Sequence, residues 1–161
     1  MSNINYQWID ASQTKEVSQL AVCLTKEIIE RTGVQYFDVD FELTEKLCNQ
    51  YLEQNKYHVV VALDQKQVIG FSALCESYAL YTEGVFGILQ EFYVLPEYRN
   101  LNIGKRLLDH VKSFAKKQQW KRIELCTPPL PEFDRTVSFY QDNNFERTGG
   151  YKMKYIISYA N

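Results

Sequence analysis

The run Arg99-Asn100-Leu101-Asn102-Ile103-Gly104-Lys105 constrains the fold of this chain more than any other stretch. It follows a predicted strand, Val85 to Val94, and opens a predicted helix, Asn102 to Gln119. Pro96 closes the strand, because proline has no donor for a sheet ladder. Asn102 reads as the helix N-cap. Behind it Ile103, Leu107, Val111, Phe114 and Ala115 recur at helical spacing and form one apolar stripe. A strand, a short turn and a helix start in that order make an anion site. The first N–H groups of the helix lack intrahelical partners and carry the positive end of its dipole. Arg99 and Lys105 add formal charge. The same residues also fit an ordinary strand–loop–helix junction with a solvated basic face, and one turn alone does not separate the two readings.

The remainder of the chain reads as alternating strands and helices without internal repeats. Tyr6 to Ile9 is a first strand. Asp10 or Ser12 caps a helix that runs to about Arg31, with Val17, Leu20, Ala21, Leu24 and Ile28 on one face and Gly33 as its stop. A second helix covers Glu42 to Gln54. His58–Leu63 and Val68–Leu74 flank the polar turn Asp64-Gln65-Lys66-Gln67, a hairpin signal. Arg122 to Cys126 is the strand after the main helix. Tyr151, Met153, Tyr155, Ile157 and Tyr159 alternate with more polar residues, as in a half-buried final strand. Periodicity alone gives a mixed α/β or α+β domain.

The 161 residues suit a single domain, residues 1–161, with one core. A net charge of −2 speaks against nucleic-acid binding, which favours a basic field. No apolar run approaches a membrane span, and the N-terminus is too polar for a signal peptide, so a cytoplasmic protein is expected. Cys23, Cys48, Cys75 and Cys126 are scattered without metal or disulfide spacing; burial is expected for them, and no metal site. His58 and His110 have no partner in the sequence that would make either a ligand or a base.

A second motif, Phe139-Tyr140-Gln141-Asp142-Asn143-Asn144-Phe145, ends a short helix. Together with Val94-Leu95-Pro96-Glu97-Tyr98-Arg99 and the turn that follows, it resembles the GNAT superfamily of N-acyltransferases, strongly over Val85 to Tyr159 and more loosely before. Two family glycines are replaced, by Asn102 and Asn144. Asparagine is the non-glycine residue most tolerant of left-handed backbone. The resemblance implies an α/β (α+β) GNAT fold: a mixed, mostly antiparallel central sheet flanked by helices, with a splayed parallel strand pair that binds acyl-CoA. It implies acetyl-CoA as cosubstrate. The pantetheine arm would lie along Phe92, Tyr93 and Val94, and the pyrophosphate would meet Arg99, Asn100, Leu101, Asn102, Ile103, Gly104 and Lys105.

Amide formation needs a neutral amine and a protonated leaving thiol. Tyr140 matches the family's proton donor to the thiolate; the alternative is a core tyrosine packing the short helix. Glu91, late on the strand beside the thioester, is the candidate base, with Glu124 as runner-up; either carboxylate also fits a solvated surface role. The acceptor would meet Val34–Asp40 and Glu76–Glu83, where aromatics and carboxylates mix in a way that suits a cationic amine. The proline-stiffened Thr127–Pro131 would cover the cofactor or a subunit contact. The expected activity is acetyl transfer to a primary amine of a small molecule or peptide by direct attack in a ternary complex. The alternative is a non-catalytic acyl-CoA-binding or regulatory module. A homodimer fits either.

Overall fold

The computed structural model describes residues 3–35 and 38–160. Nine principal elements follow the chain: β1 (Ile4–Trp8), α1 (Thr14–Thr32), α2 (Phe41–Glu53), β2 (His58–Asp64), β3 (Gln67–Ala79), β4 (Gly84–Val94), α3 (Ile103–Lys117), β5 (Ile123–Leu125) and α4 (Asp134–Asp142). Local chemistry sets their limits. The Asp10 carboxylate accepts from Ser12 N–H in a short 3-10 turn leading into α1. Gly33 ends α1 at φ 70°, a left-handed position that glycine occupies without strain. Asp40 caps α2 by accepting from Leu43 N–H at 3.0 Å.

The strands form one sheet in the order β1-β2-β3-β4-β5. The first three pairings are antiparallel, and β4 pairs β5 in parallel. In β2, Val60 and Ala62 face one way, Val59 and Val61 the other, and all are at most 1% exposed. A strand buried on both faces needs helices on both sides. Val17 and Leu20 of α1 pack on Val59, Val61, Phe71 and Ala73, with Leu52 of α2 alongside. Leu107, Leu108 and Val111 of α3 pack on Val60, Ala62, Ile69 and Leu74, with Tyr140 of α4 in the same layer. Fully burying one such side chain is worth about 1.5–3 kcal/mol.

Four expectations change. The final strand predicted over Tyr151–Tyr159 is absent: residues 151–160 carry no regular structure and stand exposed. Alternation reports which side of a segment is apolar, and a strand also needs a sheet edge to pair with. Glu76–Ala79 belongs to β3, so only Leu80–Thr82 forms a turn before β4. Asn102 holds the N-cap position of α3 but makes no side-chain cap bond, because its backbone is left-handed (φ 62°) whereas a capping side chain needs extended geometry. Of the cysteines expected to be buried, Cys126 is exposed and the other three are half-buried.

Candidate active site

The site begins with an irregularity in β4. On its β3 side the register runs from Gly70↔Val94 to Ala73↔Glu91, then resumes at Leu74↔Leu89. Gln90 is the extra residue of a β-bulge. Strict alternation would put Leu89 and Glu91 on one face. With the bulge, Leu89 enters the α3 layer, while Glu91 reaches the α1–α2 face with Tyr93. On the other side, the parallel ladder with β5 holds only Gly87↔Ile123, Ile88↔Glu124 and Leu89↔Leu125. Past the bulge β4 and β5 no longer pair, and the β5-facing edge at Phe92, Tyr93 and Val94 lies open among the described residues.

Glu91 stands at the start of that open edge. The Tyr57 hydroxyl donates to it, 3.1 Å from Oε2 and 3.4 Å from Oε1. Loss of solvent raises the carboxyl to about 7, and the Tyr57 hydrogen bond holds it from rising further. Burial, followed by the adjacent carboxylate, pushes the Tyr57 phenol up and keeps it a donor. A carboxyl poised near neutrality suits proton acceptance. Tyr57, set just before β2, was not foreseen from the sequence. Its role depends on contact with a residue 34 positions away, and only its aromatic character at a strand start could have flagged it.

Tyr140 approaches from the opposite layer. Its ring lies edge-on to Phe92 at 6.0 Å and to Phe145 at 5.5 Å, with Phe139 at 5.2 Å. Burial raises its pKa, so the phenol keeps its proton. After α4, Asn144 takes φ 70° and Phe145 N–H returns to the Tyr140 carbonyl at 3.0 Å. Asparagine thus occupies the left-handed position that ends the helix. Lys112 of α3 donates to the Asn143 carbonyl at 2.6 Å and fixes this end against α3.

The turn before α3 is held by two left-handed asparagines, Asn100 (φ 65°) and Asn102 (φ 62°). With no side-chain cap at Asn102, the N–H groups of Ile103, Gly104 and Lys105 point out of the helix start without intrahelical partners. A Cβ on Gly104 would meet the Phe139 ring at 3.0 Å, so the helix start is pressed against the aromatic cluster. Leu101 is exposed. Lys105 pairs with Asp109 at 3.1 Å on the surface. Arg99 turns away from this N-terminus: it donates to the Val94 carbonyl and to Glu27 of α1 at 2.8 Å, and lies over the Tyr93 ring. A groove of about 660 Å³ runs from Asn102 and Lys105 along α3, past Tyr6, Arg106, Asp109 and His110.

Glu124 accepts from the Tyr81 hydroxyl at 3.0 Å and pairs with Arg122, whose guanidinium sits over the Tyr81 ring. Glu76 accepts from Trp120 Nε1 at 2.9 Å and from the Tyr78 hydroxyl at 3.3 Å. In the first expected acceptor wall, Tyr36 and Phe37 lie outside the described residues. The proline loop is tied to the end of α1, where Arg31 covers the Phe133 ring and donates to the Glu132 carbonyl.

Residues 55–147 match the family described as an acetyltransferase (GNAT) domain. Among curated proteins, the uncharacterized N-acetyltransferase YhfO of Bacillus subtilis (strain 168) is 26% identical over 112 residues, which is 70% of this chain and 74% of YhfO. A possible acetyltransferase from Clostridium difficile 630 superposes with a TM-score of 0.79 at 16% identity, covering 97% of this chain and 99% of that one. An aminoglycoside N-acetyltransferase solved in complex with CoA superposes equally well, TM-score 0.79 at 15% identity, over 97% of this chain and 96% of its own.

Proposed function

Since the chain belongs to the GNAT acetyltransferase family, we propose that residues 1–161 form one cytoplasmic N-acetyltransferase domain. In this reading it transfers an acetyl group from acetyl-CoA to a primary amine of a small molecule or peptide, by direct attack in a ternary complex. The observation that carries the reading is the bulge at Gln90, which sets Glu91 beside an unpaired strand edge.

The chain's residues fit the cosubstrate. The open β4 edge at Phe92, Tyr93 and Val94 offers backbone groups to an amide-bearing arm, as to an added strand. The uncapped N–H groups of Ile103, Gly104 and Lys105 offer donors to a pyrophosphate, with Asn100, Leu101 and Asn102 shaping the turn. Arg99 serves by anchoring this turn to β4 and α1. Acetyl-CoA supplies the acetyl group as a thioester and carries away the thiol. Glu91 accepts the proton that the ammonium group must lose, directly or through water, and Tyr57 holds the carboxylate in place. Tyr140 holds the proton that the leaving sulfur takes up. Glu124 is less suited as base, since its carboxylate is already engaged by Arg122 and the Tyr81 hydroxyl. Carboxylates at Glu91 and Glu124, with Tyr81, favour a cationic amine, whereas Glu76 lies on the α3 face and is bonded to Trp120.

A non-catalytic acyl-CoA-binding module draws its support from the two missing glycines. That support weakens, because Asn102 and Asn144 both adopt the left-handed geometry required. The test is a CoA-release screen over polyamines, aminoglycosides, amino acids and peptide N-termini. Turnover with at least one amine, lost in Glu91→Gln, is expected. CoA binding without amine-dependent release across the panel would overturn the catalytic reading.

A further inference from the structure

Glu27, near the end of α1, uses its two carboxylate oxygens on two different parts of the chain. Oε1 accepts from Arg99 at 2.8 Å, and Oε2 pairs with Arg31, one helical turn further on, at 3.5 Å. The Glu27 side chain is 19% exposed against 37% for each arginine, so the carboxylate is the inner member of the trio. Each arginine carries the connection onward. Arg99 donates to the Val94 carbonyl at 2.9 Å and lies over the Tyr93 ring, at the C-terminal end of β4. Arg31 stands 3.9 Å from the centre of the Phe133 ring and donates to the Glu132 carbonyl, in the loop that leads from β5 into α4. Phe133 is buried, and its carbonyl accepts from the N–H groups of Thr136 and Val137, so it starts the helix that carries Tyr140.

A Glu–Arg pair four residues apart on a helix is ordinary. Here the same carboxylate also joins the end of β4 to the loop that follows β5, two parts that no ladder holds together. The β4–β5 pairing stops at Leu89↔Leu125, and beyond it the sheet sets no distance between the two strands. The relay from Val94 through Arg99, Glu27 and Arg31 to Phe133 spans the opening instead. We propose that Glu27 is a positioning residue that fixes the width of the opening between β4 and β5, and thereby the fit of the acyl-CoA arm within it. It acts only through its two arginines, by charge-assisted contacts. Without the carboxylate, Arg99 and Arg31 face each other as like charges, and their repulsion moves Val94 and the start of α4 apart. The proposal rests on the acetyl-CoA reading of this opening.

Calorimetric titration of the intact chain with CoA tests it. Glu27→Gln keeps the shape and one acceptor oxygen but removes the charge that holds both guanidinium groups. Its CoA dissociation constant is expected to rise about tenfold over the parent, within the range of couplings between residues in one network. Arg31→Met breaks the same relay from the α4 side and leaves the Arg99 contact in place, so a readable variant remains if Glu27→Gln folds poorly. A similar loss of affinity is expected. The double variant should bind no more weakly than the weaker single one, because both changes cut one relay. A trio that serves stability alone gives a lower Tm in each variant with unchanged CoA affinity per folded molecule. That result would overturn the proposal, as would losses that add in the double variant. A parent chain that fails to bind CoA at millimolar concentration would instead overturn the acetyl-CoA reading, and the role of Glu27 with it.

Discussion

The Tyr57 hydroxyl and the Glu91 carboxylate meet at 3.1 Å, one from the residue before β2 and the other from the bulge of β4. The hydrogen bond opposes the burial that raises Glu91 to about 7. Tyr57→Phe deletes the bond and keeps the ring. Glu91 should then titrate higher, by about one unit if the bond is worth about 1.4 kcal/mol. The acidic limb of the kcat/KM–pH profile is expected to move to higher pH, with the plateau rate little changed. A merely structural tyrosine would lower Tm and leave the limb in place.

Glu91→Gln removes the proposed base. A loss of about 10²–10⁴-fold in kcat is expected, with the acidic limb near pH 7 gone. Stability provides a second reading. The carboxyl of Glu91 is raised in the folded state, so its contribution is present below the unfolded pKa of roughly 4.3 and is lost as pH rises through about 7. Relative to the parent, the Gln variant should therefore gain Tm between pH 5 and pH 8, measurable by differential scanning calorimetry.

Tyr140→Phe keeps the ring that packs against Phe92 and Phe145. Turnover should fall by about 10²–10⁴-fold in single-turnover measurements, while CoA affinity and Tm stay close to the parent. A lower Tm with normal turnover per folded molecule would assign Tyr140 to the core alone.

Asn102→Gly tests the turn. Asn102 already sits at φ 62° without a cap bond, so glycine adopts the same backbone with less strain. CoA affinity by calorimetry should be equal or tighter, and Tm equal or slightly higher. A tenfold weaker affinity, about 1.4 kcal/mol, would make the asparagine side chain a ligand.

Much of the fold is legible from periodicity. The α3 stripe from Ile103 to Ala115 and the apolar run of β2 point to a sheet between helix layers, and the motifs around Arg99 and Tyr140 fall on the elements expected of them. Less legible is what depends on register. Nothing local marks Gln90 as unpaired, because a bulge arises from the match between two strands. Arg99 reads as a free positive charge until Glu27, 72 residues away, is brought beside it by α1. The tail from Tyr151 to Tyr159 has the pattern of a strand but pairs with none among the described residues. In each case the missing information is a long-range contact.

The bulge also sets a limit on how the sheet can be improved. If Gln90 were deleted, Leu89 and Glu91 would become consecutive and would keep the opposite faces they hold now. Every side chain would retain its layer, and the β3–β4 ladder would run without a break. The straightened strand would then be free to stay in step with β5 beyond Leu125, zipping shut the opening at Phe92–Val94. A one-residue contraction would give a more regular protein with no room for a guest.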